Sequence, residues 1–348
     1  MSNYYLLHNG EFAYNKSYSG DYPWGAIKRL DRYEKGALSS LYICFAPQQV
    51  VHSDFLVHYF ESPKWHKEVS NIAGEGARNH GLLNIAVPDF FNTRHWVPSN
   101  RTEQKKIAAL FNLIEERIQT QKKIIEDLKK LKDAIAEKLF CSPDDETPEL
   151  RIANSSVCWN LYRLKDVCQR ISERNSQESS SLVLTIAAQY GLVSQTDFFN
   201  KSVASENLSN YYLIQKGDFA YNKSYSGEYP WGAVKRLELY EKGVLSPLYI
   251  CFRPNPLIVN SDFLSHYFET HKWHNGIAQI AGEGARNHGL LNVSISDYFA
   301  TLHRLPGLPE QKKIASYLNL LSDKISLANK ELQCYSRQKQ YLLARMFI

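Results

Sequence analysis

Over residues 107–139 apolar side chains recur in alternating steps of four and three. Ile107, Phe111, Ile114, Ile118, Ile125, Leu128, Ile135 and Leu139 hold the frame, with Gln121 and Lys132 as its polar breaks. The same frame, 207 residues on, reads Ile314, Leu318, Leu321, Ile325, Ala328, Leu332, Tyr335, Leu342 and Met346, interrupted by Lys339 alone. A 3.5-residue spacing sustained over more than four heptads predicts two long helices that pair along a narrow seam. At ~1.5 Å per residue each helix would be about 55 Å long. Lys132 and Lys339 fall at equivalent positions, where a polar seam residue is expected to fix register.

Ahead of each helix the texture changes to short strands and turns. Tyrosine-rich runs are punctuated by Asn9-Gly10, Ser19-Gly20 and Lys35-Gly36. The pattern predicts a buried strand at 41–45 and short helices at 54–61 and 63–72. Between the two blocks, residues 141–156 include Ser-Pro-Asp-Asp-Glu-Thr-Pro-Glu, an acidic linker with two prolines.

The alternation is a tandem duplication. The run from Phe12 to Gly20 returns as Phe219 to Gly227, and Tyr22-Pro-Trp-Gly25 returns as Tyr229-Pro-Trp-Gly232. The thirteen residues from Ile72 to Asn84 return unchanged as Ile280 to Asn292, and Glu103 to Ala108 match Glu310 to Ala315. Residues 157–208 have no counterpart in the first copy, because Met1 aligns with Leu208. That stretch contains Trp159-Asn-Leu-Tyr-Arg-Leu-Lys165 and the β-rich Leu182-Val-Leu-Thr-Ile-Ala187, so it reads as part of a folded domain. The expected order is a first domain over 1–102 lacking its N-terminal part, a spacer helix over 103–140 and a linker over 141–156. A complete second domain over 157–309 and a second spacer helix over 310–348 follow. The fold class is α+β: two similar domains of mixed β-structure and short helices, with a pseudo-two-fold relation and an antiparallel coiled coil between them. Missing strands in the first copy would leave core surface and strand edges open.

Composition narrows the functional classes. The 348 residues are 44% hydrophobic and 22% charged, which excludes wholesale disorder. No apolar run reaches ~18 residues and no secretory leader opens the chain, so a cytoplasmic protein with no membrane partner is expected. The six cysteines form no C-x-x-C pair and read as reduced thiols. The net charge of +5 is weakly informative. Residues 1–102 carry ten Lys/Arg against nine Asp/Glu, and residues 157–309 fourteen against thirteen. Nucleic-acid binding would therefore need basic groups gathered on one face.

Catalytic signatures are missing. The sequence has no G-x-x-x-x-G-K-[ST], no H-E-x-x-H and no Asn/Asp-Pro-Pro-aromatic motif of an amino-methyltransferase. No ligand spacing around His80 or His288 suggests a metal. What recurs is a set of donors in loop contexts: Asn15, Lys16, Tyr18 and Ser19, repeated as Asn222, Lys223, Tyr225 and Ser226. Arg78, Asn79 and His80 repeat as Arg286, Asn287 and His288, between small residues where a backbone can approach a ligand. Such groups suit phosphates and base edges, and Lys28-Arg29 with Lys235-Arg236 could neutralise phosphates. Gln189 and Tyr190 complete the candidates. For each residue a turn cap, core filler or solvated face is the competing reading.

The pattern resembles the specificity subunit of type I restriction-modification enzymes. The resemblance is carried by Gly217-Asp-Phe-Ala-Tyr-Asn-Lys-Ser-Tyr225, Leu245-Ser-Pro-Leu-Tyr249, Gly282-Glu-Gly-Ala-Arg-Asn-His-Gly289 and Leu305-Pro-Gly-Leu-Pro-Glu-Gln-Lys-Lys-Ile-Ala315. The last, just before a long helix, is the most diagnostic, and copy one departs from it with Val97-Pro-Ser-Asn-Arg-Thr102. The resemblance implies two target-recognition domains, each reading half of a bipartite double-stranded DNA sequence, and helices that set the distance between halves. It implies a non-catalytic subunit that docks two adenine-methylating modification subunits and, through the complex, restriction subunits. S-adenosylmethionine, ATP and Mg²⁺ would belong to those partners. A truncated or inactive variant, or a coiled-coil assembly protein with protein-binding globules, are the alternatives.

Overall fold

In the computed structural model the described residues are 4–73, 81–152, 157–187, 190–199, 207–224, 226–227, 229–281 and 289–347. They fall into two compact units, one of Met1–Ile125 with Leu327–Ile348, the other of Glu126–Ser326.

Unit 1 begins with β1 (Tyr4–His8), β2 (Phe12–Asn15), β3 (Ala26–Arg29), β4 (Lys35–Ser39) and β5 (Ile43–Phe45). β1 pairs with β4, and β3-β2-β5 form a three-stranded antiparallel sheet. Alternation along β2 sends Phe12 and Tyr14 inward, where both are fully buried. Against that face pack α1 (Ser53–Glu61), α2 (His66–Ile72) and α3 (Val87–Phe91) through Phe55, Tyr59, Trp65, Val69 and Phe90. The long α4 (Arg101–Leu139) adds Ala108 and Phe111 to the core.

Unit 2 contains β6 (Asn160–Arg163), α5 (Leu164–Val167), β7 (Cys168–Arg170), β8 (Leu184–Ala187), β9 (Gly191–Ser194) and α6 (Gln195–Phe199). Then come β10 (Tyr212–Gln215), β11 (Phe219–Asn222), β12 (Ala233–Arg236), β13 (Lys242–Leu245) and β14 (Ile250–Pro254). α7 (Ser261–Tyr267), α8 (His274–Ile280), α9 (Ile295–Ala300), β15 (Leu302–Leu305) and the long α10 (Leu308–Met346) complete the chain. The central sheet has the order β12-β11-β14-β7, with β15 paired to β6 and β10 to β13. It repeats the sheet of unit 1 with one more strand, supplied by the segment that only the second copy has.

Both predicted long helices form, each 39 residues long, starting two residues earlier than expected. None of the twenty seam positions is exposed, including Ile107, Ile114, Ile118, Ile125, Leu128, Ile135, Ile314, Leu321, Ile325, Leu332 and Leu342. Off-seam residues such as Leu113 and Leu320 are 64% and 68% exposed, so the seam has one face and not an all-round apolar surface. Within unit 1 the pairing is antiparallel. Gln121 donates to the Ala328 carbonyl at 3.0 Å, Arg117 lies over the Tyr335 ring, and Phe111 stacks on Phe347. Within unit 2 the last turns of α4 (Ala136, Leu139) share a core with Ile314, Ala315 and Leu318 of α10.

Other elements differ in extent from the sequence expectation. The strand expected at 41–45 covers only Ile43–Phe45, because Leu41 sits in the preceding turn. The helix expected at 63–72 starts at His66, after Pro63 and the turn that follows it. The equivalent seam lysines are not alike in their contacts. Lys339 is tied to Glu61 at 2.9 Å and Glu115 at 2.7 Å, whereas Lys132 has no salt bridge among the described residues. Glu115 is matched by Ser322 in the other copy, and Glu269, the match of Glu61, is held by Lys235 at 2.6 Å.

Candidate nucleic-acid interface

Each copy builds one polar loop at the end of its central hairpin. In unit 1 the loop runs from Asn15, at the end of β2, to Gly25, before β3. The Asn15 side chain accepts from the Ser17 amide at 3.0 Å, and Ser19 Oγ accepts from the Tyr22 amide at 3.2 Å. These are Asx- and Ser-type turns that hold the loop compactly. Asn222 and Ser226 make the same bonds at 3.0 and 3.3 Å. The loop is closed by a buried phenol: Tyr14 donates to the Trp24 carbonyl at 2.8 Å, and Tyr221 to that of Trp231 at 2.9 Å. Burial raises both phenols far above the usual tyrosine range, so they remain protonated donors. Gly25 and Gly232 have φ of +76° and +78°, and a Cβ at either would lie 2.2 Å from a backbone carbonyl of the loop.

The loop is then clipped to a distant stretch of chain. Tyr18 donates its amide to the Gly81 carbonyl at 3.1 Å, and Leu83 donates to Lys16 at 2.9 Å, around a Ser17–Leu82 bridge. In unit 2 Leu291 donates to the Lys223 carbonyl at 2.9 Å around a Ser224–Leu290 bridge. Gly81 and Gly289 immediately follow the Arg-Asn-His runs. The fold thus brings Asn15, Lys16, Tyr18 and Ser19 to the end of the segment carrying Arg78, Asn79 and His80. Those three residues, with Gln189, Tyr225, Arg286, Asn287 and His288, lie outside the described residues. Lys16 Nζ rests 3.5 Å from the Ile85 carbonyl, and neither Lys16 nor Lys223 has a salt bridge among the described residues.

The Lys-Arg pairs take a different position. Arg29 donates to Asp31 at 2.6 Å, Ser53 at 2.8 Å and Asp54 at 2.7 Å. Arg236 repeats this with Glu238, Ser261 and Asp262. Each guanidinium therefore ties the end of a strand to the first turn of α1 or α7, its charge balanced by two carboxylates. Lys235 is held by Glu269, its side chain only 12% exposed. Arg29, Lys235 and Arg236, expected to neutralise phosphates, are thus each paired with carboxylates in this structure. Asp31 and Glu238 are two residues on, but the other acidic partners lie 25 to 34 residues away, beyond any local sequence signal. Lys28 is 64% exposed and 3.6 Å from Glu61. Tyr190, 70% exposed, lines a cleft of about 830 Å³ with Lys129, Lys132, Lys235, Arg236 and the acids Asp133, Glu238 and Glu269. That cleft is of mixed sign, and Tyr229 of the Asn222 loop also lines it.

Sequence reading missed the structural work of the glutamine in Glu-Gln-Lys-Lys. Gln104, 1% exposed, accepts from the His52 amide at 2.7 Å and donates to the Pro98 carbonyl at 2.7 Å. Gln311 does the same with Asn260 and Pro306 at 2.7 and 2.8 Å. One buried amide thus locks the start of each long helix to the start of α1 or α7. No cluster of His, Cys, Asp or Glu among the described residues could hold a metal ion, and no helix among them is long and apolar enough to cross a membrane.

No family profile matches the sequence, and no curated protein matches it. Solved structures do. A chain from a structure of a type I R-M system, described for its complex assembly and conformational transition, aligns with a TM-score of 0.61 at 14% identity, over 99% of this chain and 83% of that one. The S subunit of a type I restriction-modification system from M. genitalium aligns with a TM-score of 0.52 at 15% identity, over 98% and 84%. The fold is that of a type I specificity subunit. In this specificity-subunit fold the two clipped loops occupy equivalent places in the two copies, so whatever one presents the other presents again.

Proposed function

We propose that the chain is the non-catalytic DNA-reading subunit of a type I restriction-modification assembly, each unit reading one half of a bipartite double-stranded site. The observation that supports this most is the clipped loop. In both copies the backbone of an Asn-Lys-Ser turn is hydrogen-bonded to the short stretch that follows an Arg-Asn-His run, through Lys16 to Leu83 and Lys223 to Leu291, and neither lysine has a salt bridge among the described residues. Amide, ammonium and hydroxyl groups on a rigid turn are the chemistry of phosphate positioning and base-edge readout. Two adenine-methylating modification subunits and the restriction subunits are the partners in this reading. S-adenosylmethionine, ATP and Mg²⁺ are held by them, and this chain holds no cofactor of its own.

The test is co-expression with modification subunits and mapping of methylated adenines across the host genome. Two half-sites at a fixed separation are expected, similar and inverted because the loops are nearly identical. N15A with K16A should relax one half-site and leave the other sharp, and N222A with K223A should do the converse. Sites that are unchanged by both double variants would overturn the assignment of the loops.

A further inference from the structure

Each unit has a cleft between its clipped loop, the end of α1 or α7 and one long helix, α10 in unit 1 and α4 in unit 2. The charged residues of the two linings match: Lys28, Glu61 and Lys339 in unit 1 correspond to Lys235, Glu269 and Lys132 in unit 2. Their charges are resolved differently. In unit 1, Glu61 meets Lys28 at 3.6 Å and Lys339 at 2.9 Å, and Glu115 takes Lys339 at 2.7 Å, so both ammonium groups of that cleft are paired.

In unit 2, Ser322 stands where Glu115 does, and Lys235 occupies Glu269 at 2.6 Å. Arg236 is held by Glu238 and Asp262. Two lysines of α4 are left over. Lys132 is half-buried in the seam, and Lys129 precedes it by one helical turn, where unit 1 has Ser336. Both line the cleft, and neither has an ion pair or hydrogen bond among the described residues. The remaining acid of the lining, Asp133, is no substitute partner. Burial, with Glu269 and Glu137 acting against the pull of Lys132, raises its carboxyl above the ordinary aspartate value.

We propose that the cleft of unit 2 binds a phosphate group between Lys129 and Lys132, and that unit 1 has no equivalent site. An ammonium drawn into a seam without a counter-charge is costly, and phosphate oxygens supply the charge-assisted hydrogen bonds it lacks. Side chains three residues apart on a helix are neighbours, so both ammonium groups can reach one phosphate. The group comes from the backbone of DNA crossing the Asn222 loop, whose Tyr229 borders the cleft, or from a free phosphate compound. The first source rests on the DNA-reading proposal, and the second does not.

The experiment measures lysine acetylation by mass spectrometry, with millimolar inorganic phosphate on the full chain, and with a duplex of arbitrary sequence on the chain co-expressed with modification subunits. Acetylation of Lys129 and Lys132 should slow at least about fivefold, and S322E, which gives unit 2 the carboxylate that unit 1 has, should abolish that protection. Protection by the duplex alone assigns the group to the DNA backbone, and protection by the phosphate ion makes free phosphate compounds ligands as well. With the duplex, K132M and S322E should each lower the slope of log affinity against log salt by about one. K130M removes a charge bonded to Glu126, on the same helix but outside the cleft, and should leave the slope unchanged. A duplex that does not bind at all counts against the DNA reading, while the phosphate arm still decides the cleft. Lys129 and Lys132 protected by neither probe, or equal slope losses in K130M and K132M, would overturn the proposal.

Discussion

Lys339 Nζ lies 2.7 Å from a carboxylate oxygen of Glu115, across the helix seam of unit 1, and its side chain is only 13% exposed. Glu61 closes the cluster from α1 at 2.9 Å. An ammonium in the seam is tolerated here because two carboxylates meet it. Replacing it by an apolar chain would strand those carboxylates in a half-buried place. K339M is therefore expected to lower the stability of unit 1 by about 1–3 kcal/mol. K132M, at the equivalent seam position without a salt bridge, should stay within about 0.5 kcal/mol of the parent. Urea denaturation of both variants checks this, and equal effects would refute it.

Acid should act on several buried groups, of which Glu61 and His303 are two. Burial opposes ionisation of Glu61, but hydrogen bonds from His58 and Lys339 and the nearby positive charges outweigh it and bring the carboxyl down to about 2. A carboxylate depressed in the folded state adds stability above its unfolded pKa of ~4.3, and that contribution disappears as pH falls towards 2. His303 is fully buried between Tyr267 Oη and Thr301 Oγ1, and burial holds it down to about 4. The unfolded imidazole takes a proton near 6.5 and the folded one refuses it until about 4. Unit 2 should thus lose on the order of 3 kcal/mol between those values. H303Q should make that part of the melting-temperature profile shallower, with His274, which burial also holds down to about 4, keeping the remainder of the slope.

The loop depends on a backbone that only glycine accommodates. G25A would place a methyl group 2.2 Å from the Asn15 carbonyl, at a φ of +76°. A loss of at least about 2 kcal/mol is expected, with the Tyr14–Trp24 bond broken. G232A should do the same to the other loop. If DNA selectivity is read there, each variant should degrade one half-site alone, seen as one-sided loss of methylation specificity.

A missing helix cap offers a gain. Asn260 caps α7 by accepting from the Phe263 amide at 2.9 Å, while His52, its match before α1, makes no such bond and leaves Nδ1 buried without a partner. H52N should restore the cap and stabilise unit 1 by about 1 kcal/mol, because the backbone bond from residue 52 to Gln104 is kept. A melting temperature that does not rise would show that the asparagine cannot reach the amide.

The helices and their seam were legible in the sequence because a 3.5-residue period averages over many positions, so Gln121 and Lys132 could not hide it. The clip between residues 16–18 and 81–83 was not, since it is made by backbone groups that any residue carries. The full pairing of Arg29 was not legible for a related reason. Strand alternation separates it from Lys28, and of its acids only Asp31 is local, while Asp54 comes from the start of α1. Lys132 and Lys339 share a seam position, yet only their facing residues, Ser322 and Glu115, decide what each does.

Phe347 is 3% exposed in the core of unit 1, against Phe55, Tyr59 and Phe111, and Leu343 lies beside it. The N-terminal unit is therefore closed by side chains that are made after the whole of unit 2. Unit 2 is contiguous and can consolidate first, while unit 1 waits, half made, for residues 327–348. Losing Leu343 and Phe347 would damage the beginning of the protein rather than the unit that precedes them in the chain.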